Sequence, residues 1–354
     1  MVYILNGHRV IDENRNLRID IIRAPTTAGR DRDGVPYQGI QGSSYGFTAG
    51  GYFNGYNVPQ PASAQDVIDR FPFTTFSTAT DVGDLAAAIY DTAGQSSSTH
   101  GYVSGGFQET PTIAYTNNIQ KYPFAQSSGT ATNVGTMTQT KYRAVGTSSE
   151  THGYNAAGLL PWPSSPPTTN VIEKFPFASD GSSSDVGDVT YIGWGKAPAS
   201  SSSHGYSAGY FSGGNIIEKH SFAADGNATD VGDLAYGRSR IAGQSSVTDG
   251  YASGHQGPTS QQYIQKFSFG SDGNATSVGT LAPGAPYNRN TTGQSATAAG
   301  YVSGGEYGPP PGTYSSLFTD YNVIHRFPFA ITSGSASDVG DLSQARNRMS
   351  GHQV

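Results

Sequence analysis

Ser97-Ser98-Thr99-His100-Gly101-Tyr102-Val103-Ser104-Gly105-Gly106 decides the fold, because related stretches recur along the chain. A Gly-aromatic step occurs six times, and an Ile-x-(Lys/Arg)-x-x-Phe segment follows each one. A Val-Gly pair ends each copy, and neighbouring copies of its glycine are 45 to 61 residues apart. A period of about fifty residues indicates a repeat architecture.

Composition excludes several classes of protein and site. The chain has 354 residues, of which only 13% are charged, and it contains 47 glycines and 22 tyrosines, which argues against disorder. The net charge of -6 gives no support to nucleic-acid binding. The absence of cysteine excludes disulfides, thiolate metal sites and cysteine nucleophiles. No apolar run approaches the length of a membrane helix, and we expect no cofactor and no membrane insertion.

Each copy divides into four predicted strands, and residues 143–149, 153–158, 172–177 and 184–189 illustrate them. The third strand carries an isoleucine in every copy, followed three residues later by an aromatic side chain or, once, by His220. Because side chains alternate along a strand, these two positions face opposite sides of the sheet. Both faces are therefore apolar. The prolines Pro72, Pro123, Pro176 and Pro328 in this strand are interpreted as strand ends or bulges, since proline lacks a donor.

Four-stranded antiparallel units of this length predict an all-β fold, a six-bladed β-propeller over residues 41–354. Arg348-Met349-Ser350-Gly351-His352 matches the start of a copy at Arg240 and then stops, while Gly42 to Phe47 supplies the missing continuation. We therefore expect residues 346–354 to pair with the first blade. The order of elements resembles kelch repeats, with a Gly-Gly doublet ending the second strand, although valine replaces the tryptophan typical of their last strand.

Residues 1–40 lie outside the repeat, and 26–34 have the polar composition of a linker. The run Val10 to Leu17 resembles a segment near the start of tail-fibre and other virion proteins of marine tailed bacteriophages. The repeats resemble those of fibre-like cyanophage proteins. These resemblances imply an attachment or oligomerisation segment that buries apolar side chains against other virion proteins or copies of itself: Ile11, Leu17, Ile19, Ile21 and Ile22. The alternative is a plain N-terminal strand pair.

The loops between the second and third strands differ most among the copies and carry the candidate binding residues. These are Tyr52, Phe53, Tyr56, Tyr115, Trp162, Tyr210, Phe211, Tyr307, Tyr314 and Phe318. All such loops open on one face of a propeller, and tyrosine and tryptophan suit a sugar or a protein partner. The alternative is that these side chains only pack their own loops.

Recurring polar residues are interpreted as structural. The third-strand cations are expected to pair with carboxylates after the Val-Gly step, at Asp84, Asp188, Asp233 and Asp341. His100, His152 and His204 occupy the same turn of different copies, too far apart for a zinc site. Asp225-Gly226 and its relatives are turn dipeptides rather than calcium loops.

Three functions remain open on the sequence. The favoured one is a bacteriophage virion structural protein, a tail fibre, spike or decoration subunit, whose outward propeller binds a host-surface glycan or protein. Such a protein would be assembled in the host cytoplasm and reside in the virion. The second is a non-viral kelch-like scaffold for protein partners. The third is an enzyme; kelch-type copper oxidases resemble this fold, but their site needs a cysteine, and we expect no catalytic residues here.

Overall fold

A computed structural model describes residues 4–5, 8–9, 41–55, 61–109, 112–165, 167–211, 213–254, 262–281, 289–307 and 319–354. These residues form strands, turns and extended segments, and no helix occurs among them. Within the same ranges, no helix suited to crossing a membrane is found.

The chain divides into two compact units, Met1–Tyr37 and Gln38–Val354. In the first unit, β1 (Ile4–Leu5) pairs antiparallel with β2 (His8–Arg9). The predicted attachment residues lie outside the described residues: Ile11, Leu17, Ile19, Ile21 and Ile22.

The second unit contains the repeats, whose strands follow in chain order. The first group is β3 (Tyr45–Ala49), β4 (Tyr52–Phe53), β5 (Ser63–Ala64), β6 (Val67–Pro72), β7 (Thr80–Asp84), β8 (Ile89–Tyr90), β9 (Ala93–Ser96), β10 (His100–Ser104), β11 (Phe107–Gln108), β12 (Ala114–Tyr115), β13 (Asn118–Pro123) and β14 (Thr132–Thr136). The second group is β15 (Val145–Ser148), β16 (His152–Ala156), β17 (Val171–Pro176), β18 (Ser184–Asp188), β19 (Ala197–Ser200), β20 (His204–Tyr210), β21 (Gly214–Ser221) and β22 (Thr229–Asp233). The third group is β23 (Ala242–Ser245), β24 (Asp249–Ser253), β25 (Tyr263–Ser268), β26 (Thr276–Thr280), β27 (Thr292–Ser295), β28 (Ala299–Tyr307), β29 (Thr319–Pro328), β30 (Ser337–Asp341) and β31 (Ser350–Gln353).

Most of these strands belong to four-stranded antiparallel sheets, so the all-β prediction is confirmed. The strand orders are β31-β3-β6-β7, β9-β10-β13-β14, β15-β16-β17-β18, β19-β20-β21-β22, β23-β24-β25-β26 and β27-β28-β29-β30. The first strand of each sheet is called its inner strand. Each inner strand contacts those of two other sheets, and β31 contacts both β27 and β9. The arrangement is propeller-like.

The predicted strands of the second copy agree closely with β15 to β18. The prolines lie at the last residue of β6, β13, β17 and β29, as predicted, where a missing donor costs no ladder bond. A bulge instead interrupts the pairing of third and fourth strands, for example between Ile172 and Glu173 opposite Gly187.

The two apolar faces of the third strand are buried, as the pattern predicted. Ile172 is fully buried on one face, and Phe175 is 1% exposed on the other. Phe177, at the strand end, packs on Tyr102 of the preceding sheet with ring centroids 4.7 Å apart. The Tyr102 hydroxyl donates to the Phe177 carbonyl at 3.2 Å. Aromatic rings therefore fill the space between sheets. Equivalent phenylalanines are buried (Phe124, Phe329) or half-buried (Phe222, Phe269).

Outer edges of neighbouring sheets are joined by main-chain hydrogen bonds and by exposed ion pairs. The Ala131 N–H donates to the Asp84 carbonyl at 2.8 Å, and the Asp84 N–H donates to Gly129. Three of the four third-strand lysines pair with turn aspartates of the next sheet: Lys121 with Asp180, Lys174 with Asp225, and Lys219 with Asp272. The fourth, Lys266, pairs with Asp249 of its own sheet at 3.2 Å. The possible partners Asp84, Asp188, Asp233 and Asp341 were therefore wrong. Each lies opposite the residue three positions before the cation, and side chains three apart on a strand face opposite sides.

The predicted pairing of the C-terminal residues with the first copy is confirmed by β31, which runs antiparallel to β3. Arg346, fully buried, stabilises this junction. Its guanidinium donates to Asp69 at 2.8 Å, to Thr48 at 3.0 Å, and to the Gly50 and Val67 carbonyls at 2.7 Å. Removing one partner of such a pair leaves a buried charge without compensation.

We predict that Arg346→Met lowers the free energy of unfolding by about 3–5 kcal/mol, because Asp69 then stays buried without its cation. The matched control is Lys219→Met, which removes the exposed Lys219–Asp272 pair and should cost about 0–1 kcal/mol. Urea denaturation of both variants measures the difference. Equal losses would contradict a stabilising role for the buried pair.

A second buried polar residue of β31, His352, links it to the sheet of β9 and β10. Its Nε2 donates to the Tyr102 carbonyl at 2.8 Å, and its Nδ1 accepts from the Tyr122 hydroxyl at 2.9 Å. Glutamines occupy the equivalent positions of three other inner strands and donate to the corresponding carbonyls: Gln95, Gln244 and Gln294. Complete burial lowers the pKa of His352 to about 4 from its ordinary value of 6.5.

We predict that His352→Gln makes the protein less sensitive to acid. In the wild type, the unfolded chain takes up a proton at His352 below about pH 6.5, whereas the folded chain does so only near pH 4. Stability is therefore present above pH 6.5 and is lost as pH falls towards 4, by on the order of 3 kcal/mol.

Unfolding free energies measured from pH 7 to 4 test this, with His220→Gln as a comparison, since burial also lowers the pKa of His220 to about 4. If the stability of His352→Gln depends on pH as that of the wild type does, His352 does not cause the loss of stability in acid.

Candidate functional site

The inner strands lie so close together that a side chain has no room at the second residue of five of them, and the sixth has Pro198 there. A Cβ added to Gly243 would lie 1.7 Å from the Pro198 carbonyl oxygen. A Cβ on Gly293 would lie 2.0 Å from the Gly243 oxygen, and one on Gly146 would lie 2.2 Å from the Gly94 oxygen. The backbone of the inner strands therefore forms the wall of a narrow space between them.

Six residues two positions before the inner strands, here called the rim residues, surround the start of this space. They are Asp91, Arg143, Gly195, Arg240, Asn290 and Arg348, and their φ values lie between 55° and 72°. Their backbones are linked from sheet to sheet: Arg143 N–H donates to Asp91, Arg240 to Gly195, and Arg348 to Asn290 at 2.7–2.9 Å. Positive φ in residues other than glycine costs free energy and is frequent at functional sites.

The rim residues line a cavity of about 170 Å³, here called the arginine pocket. Its wall is otherwise rich in small polar residues, including Thr92, Ser148 and Thr291. Serine hydroxyls deeper along the inner strands accept N–H groups of neighbouring sheets, as Ser148 does from Ser96 at 2.9 Å. The pocket wall is thus more polar than apolar, and it is open to a small hydrophilic molecule.

Charge in the arginine pocket is unbalanced towards positive. Arg143 pairs with Asp91 at 2.8 Å. Arg240 and Arg348 have no carboxylate within ion-pair distance among the described residues, and their buried Nε atoms have no hydrogen-bond partner there. Burial, and then the charges of Arg143 and Arg289, lower the pKa of Arg240 to about 10. An anion bound here would relieve this repulsion.

Aromatic rings hold the pocket arginines in place. Arg143 and Arg240 lie over Trp194, at 4.5 and 4.9 Å from its centroid. Trp194 stacks on Phe211 at 4.1 Å, and Arg348 lies over Tyr52 and Tyr90 at about 5.5 Å. Cation–π contacts of this kind orient guanidinium groups without neutralising their charge.

A carboxylate network lies beside the rim. Glu306, 1% exposed, accepts from Arg289 at 2.8 Å and from Asn290 at 2.7 Å. Asp320 accepts from Asn54 and Asn347, and burial raises its pKa to about 6. Both carboxylates are committed to side chains of the rim and its surroundings, so their role is to position residues such as Asn290.

The structure gathers some of the predicted loop residues and separates others. Tyr52 and Tyr115 belong to one series of ring contacts that also contains Tyr90, Phe107 and Tyr142. Tyr210 stacks with Tyr191, and Phe211 with Trp194.

The remaining predicted residues are more scattered. Trp162 is 87% exposed, Phe53 is half-buried, and Tyr307 contacts Tyr321. Tyr56, Tyr314 and Phe318 lie outside the described residues.

Sequence reasoning missed the arginine pocket because it concentrated on loops of variable length. The partners of the loop aromatics, Trp194 and Tyr90, precede the inner strands instead. A signal was present. When the copies are aligned on the inner-strand glycine, arginine occupies every second rim position: Arg143, Arg240 and Arg348.

The three recurrent histidines take part in turns. The Nδ1 atoms of His100, His152 and His204 lie 2.8 Å from a neighbouring hydroxyl, and burial lowers their pKa values. Across the described ranges, no group of three or more potential metal ligands is found.

No protein-family model matches this chain, and no curated protein matches it.

We predict that Gly243→Ala destabilises the protein by about 1–3 kcal/mol or more, because the added methyl overlaps the Pro198 carbonyl. Gly181→Ala is the matched control, since a Cβ there meets nothing within 4 Å. Thermal unfolding of both variants provides the measurement. A Gly243→Ala variant with the melting temperature of the wild type would show that the inner strands are not closely packed at this residue.

Proposed function

We propose that the six four-stranded sheets are the blades of a closed, kelch-like β-propeller. Two sets of contacts support this architecture. Inner strands contact one another in the succession β9, β15, β19, β23, β27, β31 and again β9. At the outer edge, Asp341 of the sixth sheet accepts from Ala79 of the first at 2.7 Å, as Asp84 accepts from Ala131. The sheet of β31 and β3 joins the two ends of the ring.

The propeller is, in this proposal, the outward domain of a bacteriophage virion structural protein, a tail fibre, spike or decoration subunit. The resemblance of Val10 to Leu17 and of the repeats to such proteins supports this assignment. Residues 1–40 then attach the chain to other virion proteins or to copies of itself. Residence in the virion follows from that role.

Binding of a host-surface glycan or protein is assigned to the face on which the inner strands begin. The observation that carries this assignment is the arginine pocket with its surrounding aromatic rings, including Trp194 and Tyr52. Tyrosine, tryptophan and arginine are the residues most enriched at binding hot spots. A non-viral interaction scaffold would use the same face, so the particle experiment below distinguishes the two.

We predict that the chain is a component of purified phage particles and that deleting residues 1–34 removes it from them. Mass spectrometry of purified virions measures its presence. Circular dichroism of the shortened chain controls for folding, and a strand-rich spectrum with loss from the particle is expected. A chain absent from particles would favour the scaffold, and a shortened chain that still assembles would contradict the attachment role.

A further inference from the structure

We propose that the arginine pocket binds an oxyanion carried by a small hydroxylated ligand, the chemical class of a terminal acidic sugar. This inference deepens the proposed function and rests on its assignment of ligand binding to this face. It names the chemistry that the face recognises: a carboxylate group with hydroxyls around it.

The first argument is charge. Asp91 neutralises Arg143, and Glu306 neutralises Arg289 beside the pocket, at 2.8 Å in each case. The charges of Arg240 and Arg348 have no such counterpart among the described residues. Two uncompensated guanidinium groups near each other repel, and hydrogen bonds from arginine to an oxyanion are among the strongest in proteins. A bound oxyanion therefore supplies the missing negative charge.

The second argument is the set of unpaired polar groups. Thr291 is 8% exposed and lines the pocket, and its buried hydroxyl has no partner among the described residues. The Thr92 hydroxyl and the Nε atoms of Arg240 and Arg348 are also buried without a hydrogen-bond partner among the described residues. Buried polar groups are usually satisfied, so such a concentration calls for an explanation. Because these atoms are buried as they stand, a ligand with several oxygens would bond them once their side chains turn towards it.

The third argument concerns the body of the ligand. The pocket wall consists largely of glycine, serine, threonine and the rim residues, and its volume is about 170 Å³. The large apolar residues Ile241 and Met349 are each only 5% exposed. Trp194 is already covered by Phe211 and the arginines. The accessible wall is more polar than apolar, so a hydroxylated sugar would find more partners there than an apolar peptide side chain would.

The rim backbone supports the same conclusion. Arg240 and Arg348 have φ values of 56° and 58°, whereas Gly195 occupies the same conformation without strain. Arginine at these positions therefore lowers stability relative to glycine. A bound ligand that pairs with the Arg240 and Arg348 guanidinium groups would explain why arginine occupies these positions.

The test is isothermal titration calorimetry on the full chain with sulfate, phosphate, D-glucuronate and D-glucose. We expect binding of the oxyanions and of glucuronate, and no measurable binding of the neutral sugar. The double variant Arg240→Gln/Arg348→Gln should bind at least about tenfold more weakly. Arg70→Gln, which alters an arginine over Tyr45 on a third strand, is the matched control and should bind like the wild type.

A wild type that binds none of the oxyanion probes would overturn the inference, as would a folded double variant with wild-type affinity. Binding of sulfate or phosphate without glucuronate would overturn the assignment to an acidic sugar. Should the double variant fail to fold, a salt titration of the wild type replaces it. Affinity that does not fall between about 50 and 500 mM NaCl would contradict charge-driven binding.

Failure of this inference is distinct from failure of the proposed function. Oxyanion binding by a chain that is missing from virions would leave the pocket chemistry standing and remove the virion role. If the chain is present in virions but binds no oxyanion, the virion role stands and the pocket chemistry is wrong.

Discussion

The close approach of the inner strands is the constraint on which the rest of this structure depends. Glycine occupies the second position of five inner strands, because a Cβ there would overlap a neighbouring carbonyl oxygen, and Pro198 occupies it in the sixth. Backbone groups thereby come within hydrogen-bonding reach from sheet to sheet, as in the rim and the serine series. Farther out the sheets diverge, and aromatic rings such as Tyr102 and Phe177 fill the widening space. Small residues near the centre and large ones outside are two results of the same geometry.

Buried and exposed charged side chains are also arranged differently. Between sheets, buried cations have carboxylate partners: Lys141 with Glu173, Lys196 with Glu218, and Arg346 with Asp69. Outside, the lysine–aspartate pairs are exposed and contribute little. At the rim, Arg240 and Arg348 are half-buried and have no carboxylate within ion-pair distance among the described residues. An unpaired charge is tolerated in the core only at high cost, so its location at an opening marks the rim as a place for function.

Much of the architecture was predictable, because the sequence pattern of each strand recurs in several copies. The isoleucine and phenylalanine of the third strand, for example Ile172 and Phe175, predicted both buried faces, and the split copy predicted the pairing of β31 with β3. The ion-pair partners were not predictable, since Lys174 pairs with Asp225 of the next sheet, whereas Asp188 lies opposite Val171 in the same sheet.

The site was only partly predictable. Tyr52 and Phe211 were recognised as surface aromatics, but Tyr52 contacts Arg348 from the other end of the chain, and Phe211 contacts Trp194 from the segment before an inner strand. A single copy gives no reason to select its rim residue. The arginines become conspicuous only when the copies are brought together around the inner strands, which is information held in the fold.

One sheet is assembled from strands distant in the sequence, and this bears on how the protein forms. Ser350 donates to the carbonyl of Ala49, a residue 301 positions away. Contacts of such separation raise the contact order and slow folding. During synthesis, β3 and β6 emerge from the ribosome long before β31 and meanwhile expose an unpaired strand edge. That edge is a site of vulnerability to aggregation until translation delivers β31. The time of biogenesis, rather than the finished structure, is therefore where this protein would depend most on chaperones.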